Sequence, residues 1–169
     1  PYGDLPFEKA VEAYGDMVRY GAAAGADLIL IETMSDTYEI KAAVLASKEN
    51  SDLPICVTMT FNEDGKLLTG ATVEAAALMC EGLGVDAIGF NCSLGPVQVG
   101  KLFPQMLAAT SLPLIINPNA GLPVQRDGKT CFDVGPEEYA ELMYELAGKG
   151  ASIVGGCCGT TPEHIAQMI

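Results

Sequence analysis

Basic residues are scarce in this 169-residue chain, which has 9 Lys and Arg against 22 Asp and Glu and a formal net charge of -13. Because no Lys/Arg cluster offers a surface for phosphate groups, we expect neither a nucleic-acid partner nor an anionic membrane surface. Long apolar runs are also missing, since stretches such as ADLILIETM and LPLIIN fall far below the roughly 20 residues of a membrane span. The first residues lack the basic and apolar regions of a secretory signal. These absences predict a cytoplasmic protein without a membrane segment.

Two familiar motifs are absent as well. No GxGxxG follows any predicted strand, so the usual phosphate-binding turn of a dinucleotide fold is missing. The CxxC pairs of closed structural zinc sites are missing too, although the chain contains 6 Cys. Without a secretion signal, and with two cysteines adjacent, reduced thiols or metal ligands are expected rather than disulfides.

What the sequence does contain is a helix-then-strand unit that occurs five times. Each helical segment has apolar residues at helical spacing, and each strand is a short apolar run that ends in polar residues. Strands that are apolar on both faces and alternate with helices predict a parallel sheet covered by helices. The predicted helix and strand pairs are 8–24 with 26–33, 37–50 with 53–60, 72–84 with 85–93, 96–111 with 112–120, and 135–150 with 151–159.

Polar or reactive side chains lie at the C-terminal end of every predicted strand. They are Glu32, Thr33, Thr58, Thr60, Asn91, Cys92, Asn117, Asn119, Cys157 and Cys158. Functional groups collected at the C-terminal ends of several strands favour an α/β fold of the TIM (β/α)8-barrel type over a doubly wound sheet. Five strands and 169 residues are too few for a complete barrel. We therefore expect residues 1–169 to be the C-terminal portion, about five βα units, with the N-terminal strands absent.

The adjacent cysteines predict a metal site. Cys157 and Cys158 follow Gly155 and Gly156, and a continuing strand would send the two thiols to opposite faces. Glycine tolerates backbone conformations closed to other residues, so we expect the strand to twist there and both sulfur atoms to converge. Convergent thiols indicate Zn²⁺, with Cys92 as the third ligand because it also follows a strand. Three protein ligands would leave a fourth position open, as in catalytic zinc sites.

The other candidate residues have simpler interpretations. Cys56, Cys80 and Cys131 are expected to be small apolar side chains, as most single cysteines are. His164 follows a Thr-Pro helix start, so we expect it to face solvent rather than a metal. Glu32 ends an otherwise apolar strand, where a carboxylate needs a partner, and we favour a functional role for it over a structural salt bridge.

Four segments, in this order along the chain, resemble the homocysteine S-methyltransferase family: ADLILIETMSD, GFNCSLGP, PNAGLP and GGCCGTTPEHI. The likeness covers essentially the whole chain and is greatest to the homocysteine-binding barrel of cobalamin-dependent methionine synthase. It implies that Cys92, Cys157 and Cys158 are zinc ligands and that Glu32 holds the substrate amino group. It also implies, less specifically, that Asn117 lines the substrate pocket.

The resemblance implies that the protein makes methionine from homocysteine. The zinc-bound homocysteine thiolate would attack a methyl group that comes from methylcobalamin on a separate domain or from a small-molecule donor. The DG-rich motif that opens the family's barrel has no counterpart here. Because two parallel sheet edges would be exposed, we expect the chain to dimerise or to need an N-terminal complement.

Two other interpretations stay open from the sequence. The chain could be a noncatalytic zinc-binding half-barrel that is inactive without its N-terminal complement, with a protein side chain as fourth ligand. Alternatively, Cys157 and Cys158 could be a redox pair that does not involve Cys92. The thiols of this pair would then titrate independently of metal.

Overall fold

The computed structural model describes residues 3–169, which form six helices and seven strands. All five predicted helix-then-strand units are present, with boundaries that differ from the prediction by a few residues. Within residues 3–169, no helix has both the length and the apolar character that crossing a membrane would require. In chain order the elements are α1 (Phe7–Ala23), β1 (Ile29–Met34), α2 (Thr37–Asn50), β2 (Ile55–Met59), α3 (Val73–Gly82), β3 (Ala87–Asn91), α4 (Pro96–Ala109), β4 (Leu114–Asn117), β5 (Pro123–Arg126), β6 (Lys129–Phe132), α5 (Pro136–Gly148), β7 (Ala151–Val154) and α6 (Pro162–Met168).

Five strands form one parallel sheet in the order β1-β2-β3-β4-β7. Neighbours in this sheet are consecutive along the chain, apart from the inserted pair β5 and β6. A doubly wound sheet reverses its strand order at a switch point, whereas a (β/α)8 barrel advances by one strand at a time. The observed order therefore agrees with the barrel-type fold expected from the sequence, over five βα units.

The two faces of the sheet are packed very differently. Alternate strand residues such as Val57 and Ile88 are fully buried against the flanking helices, in one large hydrophobic core. The opposite face carries only a small buried cluster, made of Cys56, Ala87 and Ile115. Most of the apolar burial that stabilises this chain thus lies on the helix side, and the other face corresponds to the interior of a barrel.

Strands β1 and β7 are the edges of the sheet, and each pairs with a single strand within residues 3–169. Leu30 in β1 and Ile153 in β7 are exposed although both side chains are large and apolar. An open groove of about 350 Å³ between α1 and β1 is lined by Met17, Leu28 and Leu30, among other residues. Exposed apolar side chains along edge strands are typical of a surface that further structure covers.

The antiparallel hairpin of β5 and β6 is not part of the sequence prediction. Its turn is Asp127-Gly128, and both residues have left-handed φ values, 50° and 72°. This is the backbone of a type I′ turn, for which Asp-Gly is a strong sequence signal. Phe132, at the end of β6, packs directly on Gly159, where a side chain would collide with the phenyl ring. The hairpin therefore supports the segment that contains the adjacent cysteines.

Gly89→Ala is expected to destabilise the sheet. A Cβ at this position would collide with the carbonyl oxygen of Ile115 on the neighbouring strand, so β3 and β4 would have to separate. We expect the free energy of unfolding, measured by urea denaturation, to fall by about 2 kcal/mol or more. The control Gly21→Ala adds the same methyl group within α1, where nothing lies within 4 Å. It should raise stability by up to about 1 kcal/mol, and equal stability of the two variants would contradict this explanation.

Candidate metal centre

Three cysteine side chains meet at the C-terminal end of the parallel sheet. Cys92 directly follows β3, and Cys157 and Cys158 lie in the turn after β7. Their sulfur atoms all lie within 4.8 Å of one another, and the Sγ atoms of Cys92 and Cys158 are 3.6 Å apart. Among residues 3–169, this is the one group of His, Cys, Asp and Glu side chains that could hold a metal ion.

Cys92 leaves the strand through a sharp bend. Both Cys92 and Ser93 have a φ of 58°, in the left-handed region that non-glycine residues seldom occupy. The Cys92 amide donates to the carbonyl oxygen of Asn117 at 3.1 Å, which continues the ladder between β3 and β4 by one residue. Beyond this hydrogen bond, the left-handed backbone of Cys92 and Ser93 turns the chain away from the direction of β3.

The adjacent cysteines lie beyond the end of their strand. Strand β7 ends at Val154, so the alternation of strand side chains does not apply to Cys157 and Cys158. The Cys157 amide donates to the carbonyl oxygen of Pro118 at 2.8 Å, and the Cys158 amide donates to Oδ1 of Asn119 at 3.1 Å. Two successive amides are thus bound by the loop after β4, which fixes the turn that carries both thiols.

The two glycines before the pair have a different role from the predicted one. Neither Gly155 nor Gly156 has a left-handed φ, so the expectation that they supply an unusual backbone conformation is wrong. What they supply is space. A Cβ on Gly155 would lie 2.6 Å from Oδ1 of Asn117, and a Cβ on Gly156 would lie 2.7 Å from Oγ1 of Thr160. Close packing at the end of the sheet, rather than backbone freedom, requires glycine at both positions.

The geometry of the three thiols fits a tetrahedral thiolate-binding metal. Zn–S bonds of about 2.3 Å at tetrahedral angles separate two ligand sulfur atoms by about 3.8 Å. The observed 3.6 Å between Cys92 and Cys158 is close to that value and much longer than a disulfide bond. The cluster therefore fits Zn²⁺ in both ligand type and spacing.

The thiol pKa values argue against a redox pair. Burial, assisted by the hydrogen bond with Cys92, raises the pKa of Cys157 to about 11. The hydrogen bond with Cys92, followed by burial, raises the pKa of Cys158 as well. Reactive redox cysteines have lowered pKa values, because the thiolate is the nucleophile. Without a metal these two thiols are therefore protonated at neutral pH.

The two predicted substrate residues lie at the same end of the sheet. Glu32 is exposed near the end of the edge strand β1, and no salt bridge involves it among the described residues. Asn117 ends β4, where it is in register with Asn91 of β3. Its carboxamide occupies the space that Gly155 leaves open. Asn117 thus contacts the segment leading to Cys157, whereas Glu32 lies two strands away from Cys92 in the sheet.

His164 does not face solvent as expected from the sequence; only 6% of its surface is exposed. Its Nδ1 accepts from the Thr161 amide at 3.1 Å, so Nε2 is the nitrogen that donates to the carbonyl oxygen of Val134 at 3.0 Å. Both ring nitrogens are hydrogen-bonded to backbone groups, and His164 does not belong to the cysteine cluster. The helix start at Thr161 is confirmed, because the two side chains form a reciprocal cap.

Tyr139 is a contributor to the site that the sequence does not single out. It is fully buried on α5, and its hydroxyl lies 2.8 Å from the carbonyl oxygen of Gly155 and 3.1 Å from that of Pro118. One buried side chain thereby links the loops after β4 and β7. Of the remaining cysteines, Cys56 and Cys80 are buried, as expected for small apolar side chains. Cys131 in the hairpin is partly buried.

The chain is thus a barrel-type α/β protein with a three-thiol cluster at the C-terminal ends of its strands. The sequence model of the homocysteine S-methyltransferase family matches residues 1–169. Methionine synthase of Mycobacterium leprae is 36% identical over 98% of this chain, and that of Mycobacterium tuberculosis is 37% identical over 93%. The apo crystal structure of the Escherichia coli homocysteine methyltransferase MmuM matches 99% of the chain with a TM-score of 0.76 and 25% identity.

The chain belongs to the homocysteine S-methyltransferase family, as the resemblance of its motifs predicted. It spans 14% of the length of the two mycobacterial methionine synthases and 59% of the E. coli chain.

Cys157 should react slowly with alkylating reagents in the metal-free protein. Because burial raises its pKa from about 9 to about 11, its thiolate fraction at pH 8 is about a hundredfold smaller than that of an unperturbed thiol. We expect its iodoacetamide labelling rate, followed by mass spectrometry, to keep rising with pH above 9. Fully buried Cys80, with its pKa raised to about 12 by burial, should be labelled only after unfolding. Rapid labelling of Cys157 at pH 7 would contradict the raised pKa.

Proposed function

We propose that this chain is the homocysteine-binding part of a zinc-dependent homocysteine S-methyltransferase, with Cys92, Cys157 and Cys158 as the metal ligands. The supporting observation is the convergence of these three thiols at the C-terminal end of the sheet in a member of this family. Three thiols are the soft ligands that zinc binds, and a site with three protein ligands is of the catalytic type.

The chain's own residues have distinct tasks in this proposal. The backbone bonds to Asn119 and to the loop after β4 fix the thiols before any metal arrives, which limits the entropy lost on binding. Because the pKa values of Cys157 and Cys158 are raised, metal binding must release their protons. When bound, Zn²⁺ would deprotonate a thiol that enters its fourth position, so a substrate thiol would be a thiolate at neutral pH.

Glu32 is the proposed partner of the substrate ammonium group. Its carboxylate is exposed at the same end of the sheet and forms no salt bridge within residues 3–169, so we expect it to form a charge-assisted hydrogen bond with the substrate. Asn117 is the weaker proposal, as an amide at the wall of the pocket. Binding both ends of homocysteine in this way would orient the substrate sulfur toward the methyl donor.

The methyl group must come from outside these residues. In the reaction the homocysteine sulfur forms a bond to the methyl carbon while the bond between that carbon and the donor breaks, leaving its electron pair on the donor. The methionine synthase relatives support a donor carried on another domain, and methylcobalamin is the donor that we propose. Free thiols persist in reducing compartments, which supports a cytoplasmic location.

We also propose that further βα units complete the barrel between β7 and β1. The unpaired edges, the exposed Leu30 and Ile153, and the groove beside α1 support this proposal. The 41% of the E. coli chain that this chain does not match leaves room for such units. A second copy of the chain could cover the same edges, and size-exclusion chromatography with and without the completing segment would distinguish the two arrangements.

Zinc content tests the metal centre. Protein purified under reducing conditions without chelator should contain about one zinc ion per chain, and Cys92→Ser should remove most of it because a ligand is lost. The matched control Cys131→Ser changes a partly buried cysteine of the hairpin and should retain zinc. Elemental analysis provides the measurement. Equal zinc content in both variants would refute the proposed ligand set.

Glu32→Gln tests the substrate. The variant should bind homocysteine about tenfold or more weakly, because a hydrogen bond between two charged groups is lost. Binding of 4-mercaptobutyrate, which is homocysteine without its amino group, should be unchanged. Titration of cobalt-substituted protein measures the binding of both compounds, because a thiol that binds the metal changes the absorption spectrum of the cobalt ion. A protein that binds zinc but shows no change with homocysteine would favour the noncatalytic half-barrel instead.

A further inference from the structure

Two strained backbone positions lie on different strands at the candidate site. Thr33, near the end of β1, has a φ of 61°, and Cys92, just after β3, has a φ of 58°. The left-handed region is particularly unfavourable for a β-branched residue such as threonine. Such a conformation persists only where surrounding contacts enforce it.

The contact that enforces it at Thr33 is the side chain of Asn91. Oδ1 of Asn91 accepts from the Thr33 amide at 2.8 Å, and Nδ2 of Asn91 donates to Oγ1 of Thr33 at 2.7 Å. Asn91 is 2% exposed, so its carboxamide has little access to water in place of these bonds. Both ends of one buried amide are therefore bound to a single residue on another strand.

This pair connects strands that are not neighbours. Strand β2 lies between β1 and β3 in the sheet, and its end is held by bonds from Thr60 to Met34 at 2.8 Å and to Asn91 at 3.5 Å. Glu32 immediately precedes Thr33, and Cys92 immediately follows Asn91. The Asn91–Thr33 bonds thus fix the backbone that carries the Glu32 carboxylate relative to the backbone that carries the Cys92 thiol.

We infer that Asn91 is a positioning residue that sets the distance between Glu32 and the cysteine cluster, and thereby selects substrates by the length of carbon chain between thiol and amine. The inference rests on the proposed function. Homocysteine has three carbon atoms between sulfur and nitrogen, whereas cysteine has two. A rigid spacing can match only one of them, because a shorter thiol that reaches the metal leaves its ammonium short of Glu32.

Asn91→Ala provides the test, in zinc-loaded protein and with binding measured by titration. We expect zinc stoichiometry to stay at the wild-type value, homocysteine affinity to fall on the order of tenfold, and the preference for homocysteine over cysteine to shrink. Thr33→Val, which replaces the hydroxyl of an exposed residue with a methyl group, should shift the preference in the same direction and provides the same measurement if Asn91→Ala folds poorly. The control Gln125→Ala removes a similar amide-to-threonine bond, to Thr130 at 2.8 Å on the exposed hairpin, and should leave the preference unchanged.

A double variant separates positioning from general stability. Because Asn91→Ala and Thr33→Val act on the same contact, combining them should change the preference for homocysteine no more than Asn91→Ala does alone. An unchanged homocysteine-to-cysteine ratio in Asn91→Ala and Thr33→Val, or a further loss of preference in the double variant, would overturn the positioning role alone. Failure of the wild-type protein to bind homocysteine would overturn the proposed function and this inference together.

Discussion

To bring three thiols within 4.8 Å of one another, the chain must leave two parallel strands at the same end and turn sharply there. A turn at the end of a buried sheet exposes amides and carbonyls that need new partners. Here the loop after β4 supplies them, because Pro118 and Asn119 accept from the amides of the adjacent cysteines. The buried Tyr139 hydroxyl hydrogen-bonds both to this loop and to Gly155. The cluster therefore depends on one continuous set of hydrogen bonds that spans β3, β4 and β7.

That hydrogen-bond set leaves little space, and this explains which residues are tolerated around it. Gly155 and Gly156 are small because Asn117 and Thr160 occupy the space where their side chains would be. Left-handed backbone appears elsewhere, at Cys92 and Thr33, on residues whose side chains the site uses. At these two positions the strained backbone turns the Cys92 thiol and the segment that carries Glu32 away from their strands, and strain of this kind is common at functional sites.

Periodicity and strand-end chemistry were enough to predict the helix-then-strand units, the parallel sheet and the grouping of Cys92 with the adjacent cysteines. The units follow from local patterns, and the grouping follows because parallel strands of a barrel end at the same edge of the sheet. The Asn91–Thr33 contact joins residues 58 positions apart across an intervening strand, so no local pattern reveals it. The burial of His164 depends on α5 and on the carbonyl of Val134, which the helix start alone does not indicate. The hairpin was predictable in principle, because Asp127-Gly128 is a strong turn signal that the apolar pattern does not register.

The two faces of the sheet are packed unevenly, so the face that stabilises the fold is not the face beside Glu32. The helix side contains nearly all of the large buried side chains, so it supplies the hydrophobic stabilisation that holds the strand ends in place. The cysteine cluster is held by those strand ends and by the loop after β4, whereas Glu32 lies exposed on an edge strand with the barrel-interior face open beside it. A charge-assisted bond to Glu32 gains strength as water is excluded, because the effective dielectric constant falls. Covering the interior face would therefore strengthen the substrate binding that we propose for Glu32 much more than it would change the spacing of the three thiols.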